Sequence, residues 1–285
     1  MSASPDDPTL ARAQAWWTTS VIDMRPGVIR FRGYAIEDLI GRVSYPQMVW
    51  LMVRGELPSR PQADLLEAAL VAAVDHGPQA PSIAVARMAV TCGLPLNGAM
   101  ASAINTLDDV HGGAGEQAMA LYSDIAAAAK HAVPGVSLDE TTASVVGAWQ
   151  RMHGKHVPGF GHRFHPIDPR APRLLALVDD AAKAGIVSGD FAMIARAIER
   201  HLARRTNVPM NIDGATAVIF AELGFPAALG RGLFLLSRAV GILAHAWEQQ
   251  QQGGRIKGPL PPEFLYRYDG LPPRPVPDPA RGAQE

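Results

Sequence analysis

The run Val157-Pro158-Gly159-Phe160-Gly161-His162-Arg163-Phe164-His165-Pro166-Ile167-Asp168-Pro169-Arg170 interrupts a chain that otherwise reads as one helix after another. Pro158 and Pro169 bar this segment from a helix interior, and Gly159 and Gly161 let its backbone approach a ligand with no Cβ in the way. His162 offers a proton-transfer group, and Arg170 a bidentate clamp for a carboxylate or phosphate. The residues alone leave two readings open, a loop built to hold an anion and a surface turn with incidental histidines, because Gly and Pro punctuate ordinary loops as well.

On both sides of the run, apolar residues recur every three or four positions. That spacing predicts helices over 64–74, 82–91, 96–107, 116–130, 138–151, 171–184, 190–204 and 215–223. Asp190 after Gly189 fits an N-cap, and Gly185 and Gly224 fit helix stops. A longest helix, from 226 to about 251, has an almost wholly apolar middle (Leu233-Phe234-Leu235-Leu236) and is expected to be buried on most sides. Strand-like pieces are short: Ser20-Val21-Ile22 and Val28-Ile29-Arg30-Phe31 bracket Arg25-Pro26-Gly27 as a small hairpin. Residues 271–285, rich in proline and charge, read as a tail. The expected fold class is all-α.

Of the 285 residues 48% are hydrophobic and 19% charged, enough apolar material for a large core, with alanine and leucine tilting it toward helix. A net charge of −1 gives no general attraction to nucleic acid or to an anionic membrane, so an anionic ligand needs a local cluster of Arg, His and Lys. Cys92 is the only cysteine, which excludes an internal disulfide and a thiolate metal cage; its apolar neighbours mark it as a small core residue. The N-terminus lacks the pattern of a signal peptide, and no uninterrupted apolar stretch reaches the roughly 20 residues of a membrane span. A soluble, cytoplasmic protein is expected.

Four polar spots stand out from the helical background: His76 in Asp75-His76-Gly77-Pro78, His111 in Val110-His111-Gly112-Gly113-Ala114-Gly115-Glu116, His162 with Arg170, and Asp213 in Pro209-Met210-Asn211-Ile212-Asp213-Gly214. Each lies at a helix boundary, where unpaired backbone groups and a dipole let side chains converge on a small ligand while the helices stay rigid. No His-x₃-His or HExxH spacing supports a metal, and no Gly-x-Ser-x-Gly elbow supports a serine nucleophile. Acid–base chemistry on a carboxylate substrate fits better. Arg238, inside an apolar helix, has to face a cleft or an acidic partner, since an unpaired buried charge is costly. His131, His153, His156, His165, His201 and His245 read as structural, and Trp16, Trp17, Tyr266 and Tyr268 as packing or subunit contacts.

The segments 30–39, 55–58, 111–114, 158–163, 168–171, 211–213 and 237–241 resemble, in order, the signature of the citrate synthase superfamily. The Asp75-His76-Gly77-Pro78 form is similar to the C-terminal module of ATP-citrate lyase and to compact citryl-CoA lyases. Two departures from the synthases point the same way. The long block of extra helices between Gly55-Glu56-Leu57-Pro58 and His76 is absent, and Gly258-Pro259 stands where the synthases carry an Arg-Pro pair, so one carboxylate clamp is missing.

The resemblance implies a large domain (1–111 and 225–285) with an inserted small domain (112–224), a cleft between them and a homodimer. It implies reversible cleavage of citryl-CoA to acetyl-CoA and oxaloacetate with no metal or prosthetic group, coenzyme A entering as a substrate thioester. Asp213, His111 and His162 would be the catalytic groups, and His76, Arg170 and Arg238 the carboxylate ligands. Lys155, Pro158, Gly159, Phe160 and Gly161 would receive coenzyme A. A citrate or 2-methylcitrate synthase is the first alternative, and a non-catalytic CoA-binding paralogue or partner subunit the second.

Overall fold

The structure is a computed structural model that describes residues 8–163, 165–261, 263–264 and 267–274. Phe164, Tyr266 and residues 275–285 of the expected tail lie outside the described residues. Near the N-terminus, helix α1 (Pro8–Trp16) precedes a three-stranded antiparallel sheet of β1 (Ile22–Arg25), β2 (Val28–Phe31) and β3 (Tyr34–Ala35). The expected hairpin is present, with Ile22 opposite Phe31, Arg25 opposite Val28 and Gly27 at φ +76° in the turn. The two-residue β3 is too short to leave a sequence signal.

The remaining helices are α2 (Ile36–Leu39), α3 (Tyr45–Arg54), α4 (Arg60–Ala72), α5 (Pro81–Thr91), α6 (Leu96–Ile104), α7 (Ala114–Lys130), α8 (Leu138–His153), α9 (Arg170–Lys183), α10 (Asp190–Ala203), α11 (Ile212–Glu222) and α12 (Ala227–Gln252). Several beginnings are built by side chains. Ser59 and Gln62 form a reciprocal capping box that starts α4 four residues before its apolar period begins, and Ser137 and Glu140 do the same for α8. Asp190 is not the N-cap of α10: Gly189 takes that position at φ +82°. The orphan N–H groups of Gly189, Phe191 and Ala192 donate instead to the Glu222 carboxylate at the end of α11.

The helix buried on all sides is α11, where Ile212 and every residue from Gly214 to Ala221 are buried. Around it α3, α4, α7, α8, α9 and α10 contribute to one apolar cluster that includes Trp50, Leu66, Leu121, Ile125, Val178, Ile198 and Ile219. Truncating Ile219, fully buried at the centre of α11, to alanine costs about 2–5 kcal/mol.

The long helix α12 differs from its sequence expectation. Leu233, Ser237, Arg238, Gly241, Ile242 and Ala246 turn inward, and its second half closes a smaller cluster with α5 and α6. Leu236, Val240, Leu243 and Trp247 remain exposed along the opposite stripe. By length and composition α12 is long and apolar enough to cross a membrane, yet a third of that stretch is buried against the rest of the chain and it carries the buried Arg238. Cys92, which caps the C-terminus of α5, is exposed rather than in the core. Trp16, Trp17 and Tyr268 are exposed as well.

Candidate active site

Three helix boundaries and one face of α12 build the site. The first boundary is the start of α5, whose Ser82 backbone N–H donates to Nε2 of His111 across 3.2 Å, with Ser82 Oγ 3.0 Å from the same nitrogen. An N–H donor fixes Nε2 as an acceptor, so the proton of the neutral His111 ring sits on Nδ1. The segment carrying His111 is folded on itself, Asp108 N–H donating to the His111 carbonyl oxygen at 2.8 Å, and it is tied to α12 by Arg231, which pairs with Asp108, Asp109 and Glu116.

The second boundary is the start of α11. Asn211 caps it, its side-chain oxygen accepting from the N–H groups of Asp213 and Gly214, which sets Asp213 in the first helical turn where the dipole favours a carboxylate. The Gly-rich run lies directly on this cap: Asn211 N–H donates to the Gly159 carbonyl oxygen at 3.0 Å, Gly161 N–H to that of Pro209 at 2.8 Å, and Asn211 Nδ2 to that of Gly161 at 2.6 Å. Gly159 has φ +85°, and a Cβ there would stand 2.7 Å from Gly214 Cα. Its need for glycine is therefore a close backbone crossing inside the protein, not the approach of a ligand. Gly161, by contrast, lines the cleft.

The third boundary, past the end of α4, carries His76. Its ring meets that of His162 edge to face, with centroids 5.5 Å apart. Together with His111, Asp213 and Arg238 these two histidines line a single cleft of about 250 Å³, and His76, Val110, His111 and Arg163 also line a neighbouring cavity of about 600 Å³. Arg238 is 5% exposed, donates from Nε to the Ala73 carbonyl oxygen at 3.1 Å, and lies over the Phe234 ring with its guanidinium carbon 4.9 Å from the centroid.

Burial sets the electrostatics of the cleft. It raises the Asp213 carboxyl above the ordinary carboxylate range, with the charges of Arg238 and Arg170 opposing and Asp168 adding to it. The three imidazoles shift the other way. Burial lowers His111 with help from Arg238, lowers His76 with help from Arg238, Arg170 and His162, and lowers His162 against the pull of Asp168. All three rings are thus held neutral near pH 7. The His165 N–H donates to His162 Nδ1 at 3.0 Å, which puts the proton of the neutral His162 ring on Nε2.

Two of the expected residues lie outside this cleft. Arg170 does not line the cleft; its Nε and Nη2 grip the buried Asp168 carboxylate at 2.9 Å each, and its charge reaches His76, His162 and Asp213 from that position. Asp168 also accepts from the Ile212 N–H at 3.0 Å and so fastens the start of α9 to the start of α11. Lys155 is exposed and lines a separate cavity of about 350 Å³ with Gln150, His156, Val157, Phe160, His201 and Arg205. Pro158 is half-buried. Among the described residues, no three His, Cys, Asp or Glu side chains cluster as a metal site. Ser82 and Phe234 belong to the site although no motif marks them; Asn211 lies within the 211–213 motif, and its role there is that of the N-cap of α11.

The family described as "Citrate synthase, C-terminal domain" matches residues 12–69 and 59–260. The structure of a citryl-CoA lyase from Hydrogenobacter thermophilus aligns with a TM-score of 0.78 at 30% identity, over 92% of this chain and 97% of that one. An ATP citrate lyase from Methanosaeta concilii, solved with (3S)-citryl-CoA, aligns with a TM-score of 0.74 at 20% identity, over 94% of this chain and 45% of that one, a likeness of fold. A citrate synthase from Haloferax volcanii is 31% identical over 210 residues, 72% of this chain and 52% of that protein, so the chain spans about half the length of the curated relatives it matches. With the helical fold, the ordered motifs and a profile match over most of its length, the chain belongs to the citrate synthase family.

Proposed function

We propose that the chain cleaves citryl-CoA reversibly to acetyl-CoA and oxaloacetate, with coenzyme A as a substrate thioester. The observation that carries this reading is the convergence of Asp213, His111, His162, His76 and Arg238 on one cleft. In the cleavage direction, the tertiary hydroxyl of the citryl group loses its proton to His162, its C–O bond becomes the ketone of oxaloacetate, and the C–C bond electrons pass into the enolate of acetyl-CoA. His111 donates from Nδ1 to the thioester oxygen, where enolate charge collects. Asp213, whose raised pKa suits it to carry a proton, delivers that proton to the methyl carbon. His76 and Arg238 hold carboxylates, with Arg170 adding positive charge from behind Asp168.

The cavity beside Lys155, His156 and Arg205, which Val157 and Phe160 of the Gly-rich run also line, would take the phosphates of coenzyme A on the positive charge of Lys155 and Arg205. The lobes 1–111 with 225–285 and 112–224 would close over the substrate and exclude water from the enolate. The exposed stripe Leu236, Val240, Leu243 and Trp247 fits a homodimer built across α12.

A second reading is a synthase, in which hydrolysis of the thioester follows the condensation; one observation suits the condensation step. The His165 contact makes His162 Nε2 a donor, the state required to protonate the oxaloacetate ketone, whereas cleavage requires that nitrogen bare and the contact released. Incubating the purified protein with citryl-CoA, and separately with acetyl-CoA plus oxaloacetate, tests both readings. Oxaloacetate from the first mixture supports the lyase. Net free-thiol release from the second supports a synthase, and inertness in both rejects the proposal.

A further inference from the structure

Beyond the cleft, α12 holds the segment that carries His76 at several points. Ser237 Oγ donates to the Leu70 carbonyl oxygen and Arg238 Nε to that of Ala73. At Gly241 the helix comes so close that a Cβ would stand 2.1 Å from the Val74 carbonyl oxygen. One turn further on, His245 Nε2 lies 3.2 and 3.3 Å from the two carboxylate oxygens of Asp75, the residue before His76. The Asp75 carboxylate in turn accepts from the Gly77 N–H at 3.1 Å, bending the chain around His76.

The other ring nitrogen of His245 settles its tautomer. Arg87 Nη1 stands 3.2 Å from Nδ1, and a guanidinium only donates, so Nδ1 accepts and the ring proton lies on Nε2, facing Asp75. Arg87 is held in turn by Glu248 at 2.5 Å and by Gln252 at 2.6 Å. The result is one polar chain, from Glu248 through Arg87 and His245 to Asp75, that ends on the backbone of the His76 turn. Arg231, Arg238 and His245 follow one another at seven-residue intervals along the same helix. Arg231 fastens the His111 segment, Arg238 lines the cleft, and His245 fastens the His76 segment.

We propose that His245 is a positioning residue: by donating from Nε2 to Asp75 it fixes the turn at 75–77 and with it the point from which His76 meets the carboxylate-bearing substrate. This rests on the reading of His76 as a carboxylate ligand. Burial alone does not account for the arrangement, because a packing residue at 245 needs neither a directed N–H toward Asp75 nor an acceptor toward Arg87. A glutamine can supply both, its amide N–H to Asp75 and its oxygen to Arg87, whereas a leucine of similar size supplies neither.

The test compares His245→Leu and His245→Gln with the wild type in the condensation of acetyl-CoA with oxaloacetate, and follows the His76 ring resonances of histidine-labelled protein without substrate. The leucine variant should raise KM for oxaloacetate on the order of tenfold or more and leave KM for acetyl-CoA within about twofold, with glutamine restoring most of the loss. His76 resonances should move in the leucine variant and return in the glutamine variant. Asp75→Asn, which keeps the side-chain size, gives a second route to the same disturbance if the leucine variant folds poorly. Equal losses in the leucine and glutamine variants, a loss shared by both substrates, or unmoved His76 resonances would each overturn the proposal. A wild type inert toward these substrates counts against the proposed function alone, since the resonances report on the turn regardless of turnover.

Discussion

The Ser82 backbone N–H, at the start of α5, points at Nε2 of His111 from 3.2 Å, across 29 residues of sequence. A helix N-terminus aimed at an imidazole disfavours its protonation and directs the remaining ring proton to Nδ1. His111 is thereby prepared as a neutral donor to a developing oxyanion. His111→Ala should lower kcat by two to three orders of magnitude, roughly 3–4 kcal/mol, with little change in KM for oxaloacetate, as steady-state kinetics would measure.

Asp213 predicts opposite effects on rate and stability. Asp213→Asn should abolish turnover, because an amide cannot exchange the proton, while coenzyme A binding measured by calorimetry stays close to wild type. The folded-state pKa of Asp213 lies above its ordinary value of 3.8, so its ionisation opposes folding once the pH rises past that value. The asparagine variant should therefore be the more stable protein at neutral pH by urea denaturation, and its advantage should shrink as the pH falls toward 4.

Asp168 has the reverse sign. Burial pushes its carboxyl up, but the hydrogen bonds and charge of Arg170 and the Ile212 N–H outweigh this and hold it below its ordinary value of 3.8. Its stabilisation is present at neutral pH and disappears as the pH falls through that lowered pKa. Asp168→Asn should cost about 3 kcal/mol at pH 7, read from the urea midpoint, because it leaves the Arg170 guanidinium without its counter-charge.

Gly159→Ala tests the backbone crossing. A left-handed residue with a Cβ 2.7 Å from Gly214 Cα should destabilise the protein by about 2–5 kcal/mol and displace the cap that presents Asp213. Thermal denaturation would show the first effect and loss of turnover the second.

Much of this was legible in the primary structure because helix periodicity is local. Helices α4 to α12 follow from apolar spacing, and the motif histidines and Asp213 stand out by their Gly and Pro neighbours. Helix α3 carried a readable signal in its capping pair, Ser44 with Gln47, whose side chain accepts from the Ser44 N–H. Other features have no local trace. His245 sits mid-helix between alanines, and its partners Asp75 and Arg87 lie 170 and 158 residues away. The diversion of Arg170 to Asp168 is a matter of three-dimensional reach, since the same two residues two positions apart could equally have faced the cleft. The burial of α11 on all sides, with α12 half exposed, depends on how neighbours stack, which composition alone does not order.

The exposed stripe on α12 gives a separate expectation. Trp247→Arg should weaken a dimer built across that stripe, shifting the sedimenting species toward monomer at micromolar protein without altering the far-ultraviolet dichroism.

Proton delivery by Asp213 is the step most directly open to measurement. Citryl-CoA cleaved by the wild-type protein in deuterium oxide should give acetyl-CoA whose methyl group, by mass spectrometry, carries one deuterium, and Asp213→Asn should give no labelled product. Unlabelled acetyl-CoA from the wild type, or equal labelling by the asparagine variant, would contradict the account.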